Sequence, residues 1–166
     1  LAVVPTDPAG AFSLCDQAGM WRDFCRHDVN GEIAVVDLAQ ALAHCAAEQG
    51  GPLTRKSCWH GIGKYIARVD VGRAFAACQQ VPSGLYRENC VHGLGWGAAE
   101  KGGIGFSMRC DQAGTEADSC RLGVAYNHRR FDQAASAVIC EEVRRPDLRQ
   151  QCQAFVRTGR LTGSPG

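Results

Sequence analysis

No two cysteines of this chain stand closer than ten residues apart, and Cys-x-x-Cys is absent. That removes the close ligand pairs on which structural zinc and most iron–sulfur sites are built. Aromatic residues supply only 7% of the chain. Neither sign of charge is in surplus: the net charge is +1, so no broad field draws the chain to nucleic acid or an anionic membrane. The longest apolar runs fall far short of the ~20 residues that a bilayer-spanning helix needs. No Gly-x-Ser-x-Gly elbow surrounds Ser13, Ser57, Ser83, Ser107, Ser119 or Ser136. No Gly-Lys-Ser/Thr follows Gly93, Gly95 and Gly97, which excludes a phosphate loop.

What the chain does have is ten cysteines in 166 residues, regularly placed. Twenty residues separate Cys25 from Cys45, Cys58 from Cys78, Cys90 from Cys110 and Cys120 from Cys140. Cys15 and Cys152 close the series, leaving couples 15/25, 45/58, 78/90, 110/120 and 140/152, whose internal separation drifts between 10 and 13. A fixed interval alternating with a loose one is the mark of an array of rigid units and tolerant loops. An even count at such spacing reads as a disulfide framework, and hence as an oxidising, extracytoplasmic compartment, periplasmic or secreted. The chain opens at Leu1 without Met, as expected of a mature processed chain or a trimmed piece.

The residues around the cysteines read as helices. Ala11-Phe12-Ser13-Leu14-Cys15, Ala41-Leu42-Ala43-His44-Cys45, Ala74-Phe75-Ala76-Ala77-Cys78, Phe106-Ser107-Met108-Arg109-Cys110 and Ser136-Ala137-Val138-Ile139-Cys140 repeat one small-and-apolar phrase. Each reads as the last turns of a short helix. Breakers follow, then cap candidates Thr54, Ser83, Thr115 and Asp147 for a second helix carrying the second cysteine. Cys15-Asp16-Gln17-Ala18-Gly19 returns verbatim at Cys110 to Gly114, which supports duplication. The expected fold is all-α: an α/α solenoid of about five helical hairpins, each stapled within its couple. Pairing across the twenty-residue interval is the rival register, and it would strand Cys15 and Cys152. Expected boundaries are an extended lead over 1–10, one domain over 11–160 and a flexible tail over 161–166.

In architecture this resembles secreted cysteine-rich α/α-repeat proteins of the Sel1-like and tetratricopeptide-like kind. The alternating short helices, the cysteine couple per hairpin and the period of 30 to 33 residues carry the likeness from about Ala11 to Gly159. The resemblance implies protein binding on a solenoid surface.

Three groups of residues invite a chemical reading. His27, His60 and His92 each stand two residues after the second cysteine of their couple, a ladder that could take a metal, a haem or an anionic ligand. Helix spacings of about 8–10 Å set the histidines too far apart for one shared metal. Gly61, Gly93 and Gly123 fall one turn after their cysteines and point to close backbone approach. The stretch Asp28 to Ile33 looks like the middle of a calcium loop, but Arg26 holds the position where an acid is required; Asn30-Gly31 is expected to end the helix there. Trp21, Trp59, Trp96, Tyr65, Tyr86, Tyr126 and Phe155 are expected mostly in the core, with Trp59 and Trp96 as binding hot spots if exposed. The arginines near the C-terminus read as a solvated surface. The expected function is a non-enzymatic protein-binding or scaffold module, or a subunit of a larger extracytoplasmic assembly. A histidine-ladder metal or haem protein is the alternative, and an enzyme the third. Expected partners are another protein or copies of itself, without nucleic acid, membrane insertion or cofactor.

Overall fold

A computed structural model describes residues 7–160, and all regular structure there is helical. The helices are α1 (Pro8–Asp16), α2 (Arg22–Val36), α3 (Leu38–Ala47), α4 (Pro52–Val69), α5 (Val71–Gln79), α6 (Leu85–Gly102), α7 (Ala117–His128), α8 (Gln133–Glu142) and α9 (Pro146–Thr158). Two 3-10 segments, Gly19–Trp21 and Gly103–Glu116, complete the order. The all-α class is as expected. No described helix is long and apolar enough to cross a membrane. The 161–166 tail and most of the lead lie outside the described residues. Within the lead, Pro8 to Gly10 are already helical, because Asp7 caps α1 by accepting from Gly10 N at 3.0 Å.

All ten cysteines are paired, in the register 15–25, 45–58, 78–90, 110–120 and 140–152. Their Cα atoms lie between 5.3 and 5.6 Å apart, so the end of each short first helix is pinned beside the long second helix that follows. Each bridge contributes roughly 3 kcal/mol by restricting the unfolded chain.

The constant interval has a local cause that sits at its middle. Asp7, Asp37, Asp70 and Asp132 each stand eight residues before a first cysteine, and each caps a first helix through its side chain. Asp37 and Asp70 also end the helix before them, so the turn between units is a single residue. In the fourth unit that place falls on Gly102, followed by Gly103 at φ 59°. Without the aspartate, and with glycines where a helix needs stiffness, the segment Gly103–Glu116 stays 3-10 and not the α-helix expected from its phrase.

Other expectations are corrected in the same way. Thr54, Ser83, Thr115 and Asp147 do not cap the second helices, whose caps are Gly51, Gly84, Glu116 and Arg145; Pro52 and Pro146 supply the N-terminal start instead. Thr54 faces Asp23 across the helix pair at 3.1 Å, and Asp147 pairs with Arg145. Asn30-Gly31 does not end α2, which runs on to Val36. Asn30 is buried and its amide reaches Cys45 Sγ at 3.0 Å and Cys58 Sγ at 3.3 Å, while Gly31 lies under the Tyr65 ring. The calcium-like stretch is thus helix interior and offers no loop.

The repeated phrase Cys-Asp-Gln-Ala-Gly marks the two bridges of separation 10. Gly19 and Gly114 both take positive φ, 56° and 62°, in the turn that closes the loop. The aspartate pairs with the arginine after the second cysteine in each case, Asp16 with Arg26 at 2.6 Å and Asp111 with Arg121 at 2.7 Å. The echo is one loop design used twice.

The long helices α2, α4, α6 and α7 pack side by side in chain order, with the short first helices against them. Glycine makes this possible. A Cβ on Gly93 would collide with the carbonyl of His60, one on Gly123 with that of His92, and one on Gly61 would meet that of His27 at 2.5 Å. Gly63 and Gly95 abut the carbonyls of Cys90 and Cys120 on the opposite neighbour. Gly93→Ala is therefore expected to cost about 2–4 kcal/mol, an overpacking penalty against backbone that cannot yield. Gly51→Ala, which meets nothing within 4 Å, is the control and should stay within about 0.5 kcal/mol. Urea titration of the oxidised proteins measures both.

Candidate functional site

The close approach of the long helices brings the histidine ladder into contact. His27 lies on α2, His60 on α4 and His92 on α6, each one position before the close-packed position. His27 and His60 rings are 5.2 Å apart and joined Nε2 to Nδ1 at 2.9 Å; His60 and His92 rings are 5.1 Å apart. Separation by a full helix spacing, as expected from the sequence, is not found, because glycine shortens the distance. The column continues beyond the histidines through Tyr126 of α7, 5.2 Å from His92, to Phe155 of α9, stacked on Tyr126 at 3.9 Å. Five rings thus run across five helices.

At its outer end the column meets Asp28, whose carboxylate receives His27 Nδ1 at 2.7 Å. Asp28 takes the place that Gly61, Gly93 and Gly123 hold in the following helices, and its side chain is 56% exposed. Burial works against its charge, yet the bonds from His27 and Tyr65 hold the carboxyl below the usual carboxylate range. Tyr65 is pushed above its ordinary value by burial and then by Asp28. His60 sits well below the ordinary imidazole value because of burial first, then His92, His27 and Lys64. Burial alone draws His92 down to about 4.

One turn further along each helix stands a second row: Gly31, Lys64, Trp96 and Tyr126. Trp96 is half-buried, with its ring 6.1 Å from His60 and 6.4 Å from His92. Lys64 is half-buried, 5.4 Å from the Tyr65 ring, and among the described residues it makes no ion pair. Its charge is disfavoured by burial and by Arg68, with Asp28 and Glu100 opposing. The next row is committed: Arg68 donates to Glu100 at 2.6 and 3.0 Å. Buried Asn127 Oδ1 has no hydrogen-bond partner among the described residues. Trp59 does not join this face. It is 3% exposed and packs into the core near Tyr86, so its candidacy as a binding hot spot is withdrawn. Lys64 is absent from the sequence expectations and Asp28 enters them only through the calcium-like stretch, although both stand at fixed offsets from the histidines.

The arrangement limits the chemistry. Three of the four nitrogens of His27 and His60 are bound to Asp28 or to one another, and no group of three or more His, Cys, Asp or Glu among the described residues can hold a metal. Asp28 and His27 form the orienting half of a catalytic relay, but the third member is an imidazole. Among the described residues no hydroxyl hydrogen-bonds these rings, and every cysteine is in a bridge. Elsewhere, a cavity of about 640 Å³ opens among α1, α2 and α3 beside Phe12 and His44. Its charged walls already neutralise each other as Arg22–Asp16, Arg26–Asp16 and Arg26–Glu48.

Compared with protein-family models, with curated proteins and with solved structures, the chain finds no match in any of the three.

The column makes stability depend on pH. His92 has a folded value near 4 against an ordinary 6.5, so the unfolded chain binds a proton between these values that the native ring refuses. Its contribution is intact above pH 6.5 and is lost as pH falls towards 4, by up to about 3 kcal/mol. The rings beside it are His60 of α4, Trp96 of its own helix and Tyr126 of α7, none of which supplies a compensating anion. His92→Leu, which copies Leu122 of the following unit, should flatten the fall in unfolding free energy between pH 6.5 and 4.5. An unchanged slope would show that the ring titrates freely.

Proposed function

We propose that this chain is a non-enzymatic binding scaffold of the periplasm or the secreted space, a short α/α solenoid that recognises another protein. Its recognition face is the outer surface of α4 and α6 around Lys64, Trp96, His60 and His92. The observation that carries this reading is the half-buried ammonium of Lys64, without an ionic partner among the described residues and in the same row as a half-exposed indole, while neighbouring Arg68 and Glu100 are paired. An amine left uncommitted on a rigid face suits a carboxylate brought by a partner, with the indole as the apolar anchor. The five bridges fit an oxidising compartment. A photo-crosslinking residue at position 96, and at exposed Glu141 as control, tests the face in extracytoplasmic extract of the source cells. A discrete adduct from position 96 that disappears with Lys64→Glu is the expected result. Equal, diffuse labelling from both positions would remove the proposal.

The second reading, a subunit of a larger assembly, has its own support at the first hairpin. Met20 is 86%, Trp21 63% and Phe24 66% exposed, and the Trp21 and Phe24 rings lie 5.9 Å apart. Adjacent large apolar side chains open to solvent mark contact surfaces. Sedimentation of the wild type should then show association that Trp21→Ser with Phe24→Ser abolishes; a monomer at every concentration rules this reading out.

A further inference from the structure

The hydrogen bonds of the column have a direction, and the direction can be reversed by one proton. An ionised carboxylate only accepts, so the Asp28–His27 contact places hydrogen on His27 Nδ1. In neutral His27 the other nitrogen, Nε2, is then a lone pair. The 2.9 Å contact to His60 Nδ1 consequently requires the hydrogen to sit on His60 Nδ1, which leaves His60 Nε2 as an acceptor. Each ring fixes the tautomer of the next, starting from Asp28.

When a proton arrives at His60 Nε2, the Nδ1 proton of His60 passes along the existing bond to His27 Nε2. His60 is again neutral but now carries its hydrogen on Nε2. The positive charge rests on His27, which donates through both nitrogens, to Asp28 and to His60. One proton has been taken up, no bond other than N–H has changed, and the outlet at His60 Nε2 has turned from acceptor to donor. Charge remaining on His60 itself would face Lys64 on its own helix, His92 and Trp96 on α6, and a buried setting. On His27 it faces Asp28 beside it and neutral Tyr65 and His60 of α4. The cation next in sequence, Arg26, is turned away to Asp16 and Glu48.

We propose that the Asp28–His27–His60 chain is a proton relay that sets the hydrogen-bond character of the outer face, so that partner binding there responds to pH. The pH response rests on the recognition face proposed above; the relay itself does not. Asp28 is a positioning and charge-storing residue, and His60 Nε2 is the group that would meet the partner.

The test uses the full oxidised chain with nitrogen-15 in its imidazoles, followed by two-bond proton–nitrogen spectra from pH 8 to pH 4.5. At pH 8, His27 and His60 should both carry hydrogen on Nδ1. On acidification His27 should become imidazolium in the same step in which His60 changes to the Nε2–H form. Asp28→Ala, at a side chain 56% exposed, should lower the midpoint of that step by about one pH unit or more. His60 with hydrogen on Nε2 at pH 8, or a midpoint indifferent to Asp28→Ala, would overturn the relay. The position-96 crosslink, repeated at pH 8 and 5.5, reads the consequence for binding. Yield that changes with the same midpoint supports the pH response, and equal yield across a proven tautomer switch overturns it. No adduct at either pH would count against the recognition face alone, because the tautomers are read on the free protein.

Discussion

The rest of this structure depends on the missing Cβ atoms of Gly61, Gly93 and Gly123. Each lies against a backbone carbonyl of the preceding long helix, those of His27, His60 and His92. A glycine inside a helix costs about 1 kcal/mol relative to alanine, so this contact has to return more than it costs. It returns dense backbone packing across α2, α4, α6 and α7 in a chain with few large side chains to fill wider gaps. It also returns the imidazole column, since residues adjacent to the contact are drawn within hydrogen-bond reach. Packing and candidate chemistry are therefore one feature.

The same position differs in the first and last of these helices. α2 carries Asp28 where α4, α6 and α7 carry glycine, and its side chain stays 56% exposed. α9 has Phe155 at that place, and it meets α7 by stacking on Tyr126. Asp28 terminates the hydrogen-bond column, accepting from His27 Nδ1 at 2.7 Å. A carboxylate at this one position thus puts a charged group beside a row of otherwise neutral rings.

Much of this was legible in the sequence, and the parts that were not share a cause. The couples and the all-helical class could be read because cysteine spacing and alanine-rich phrases are local signals. The close approach at the glycines could be read because the same residue recurs at the same offset. The caps were misread: Thr54, Ser83, Thr115 and Asp147 looked like cap residues by type, but the period belonged to Asp7, Asp37, Asp70 and Asp132. Alignment on the cysteines alone hid that second marker eight residues upstream. Asn30-Gly31 was misread as a break because its composition favours turns, whereas burial against the 45–58 bridge and beneath Tyr65 keeps it helical. Trp59 was left open between core and hot spot by its neighbourhood to His60; one position is 100° of helix, and it turns the indole inward. The contact of His27 with His60 needed a distance between helices, which no single-chain pattern supplies.

That distance also decides what the column can be. With ordinary helix spacing the three histidines would be separate, solvated and free to bind a metal apiece or nothing. Brought to 2.9 Å, His27 and His60 satisfy one another, and a metal would have to break bonds that already stabilise buried nitrogens. A hydrogen-bonded imidazole pair in a low-dielectric setting holds its neutral form until a proton finds an anion to rest beside. Asp28 is the only carboxylate bonded to the column among the described residues, and it stands at the end where solvent reaches it. A positive charge on the column therefore has one carboxylate to rest beside, and the glycines that set the helix spacing are what connect His60 to it.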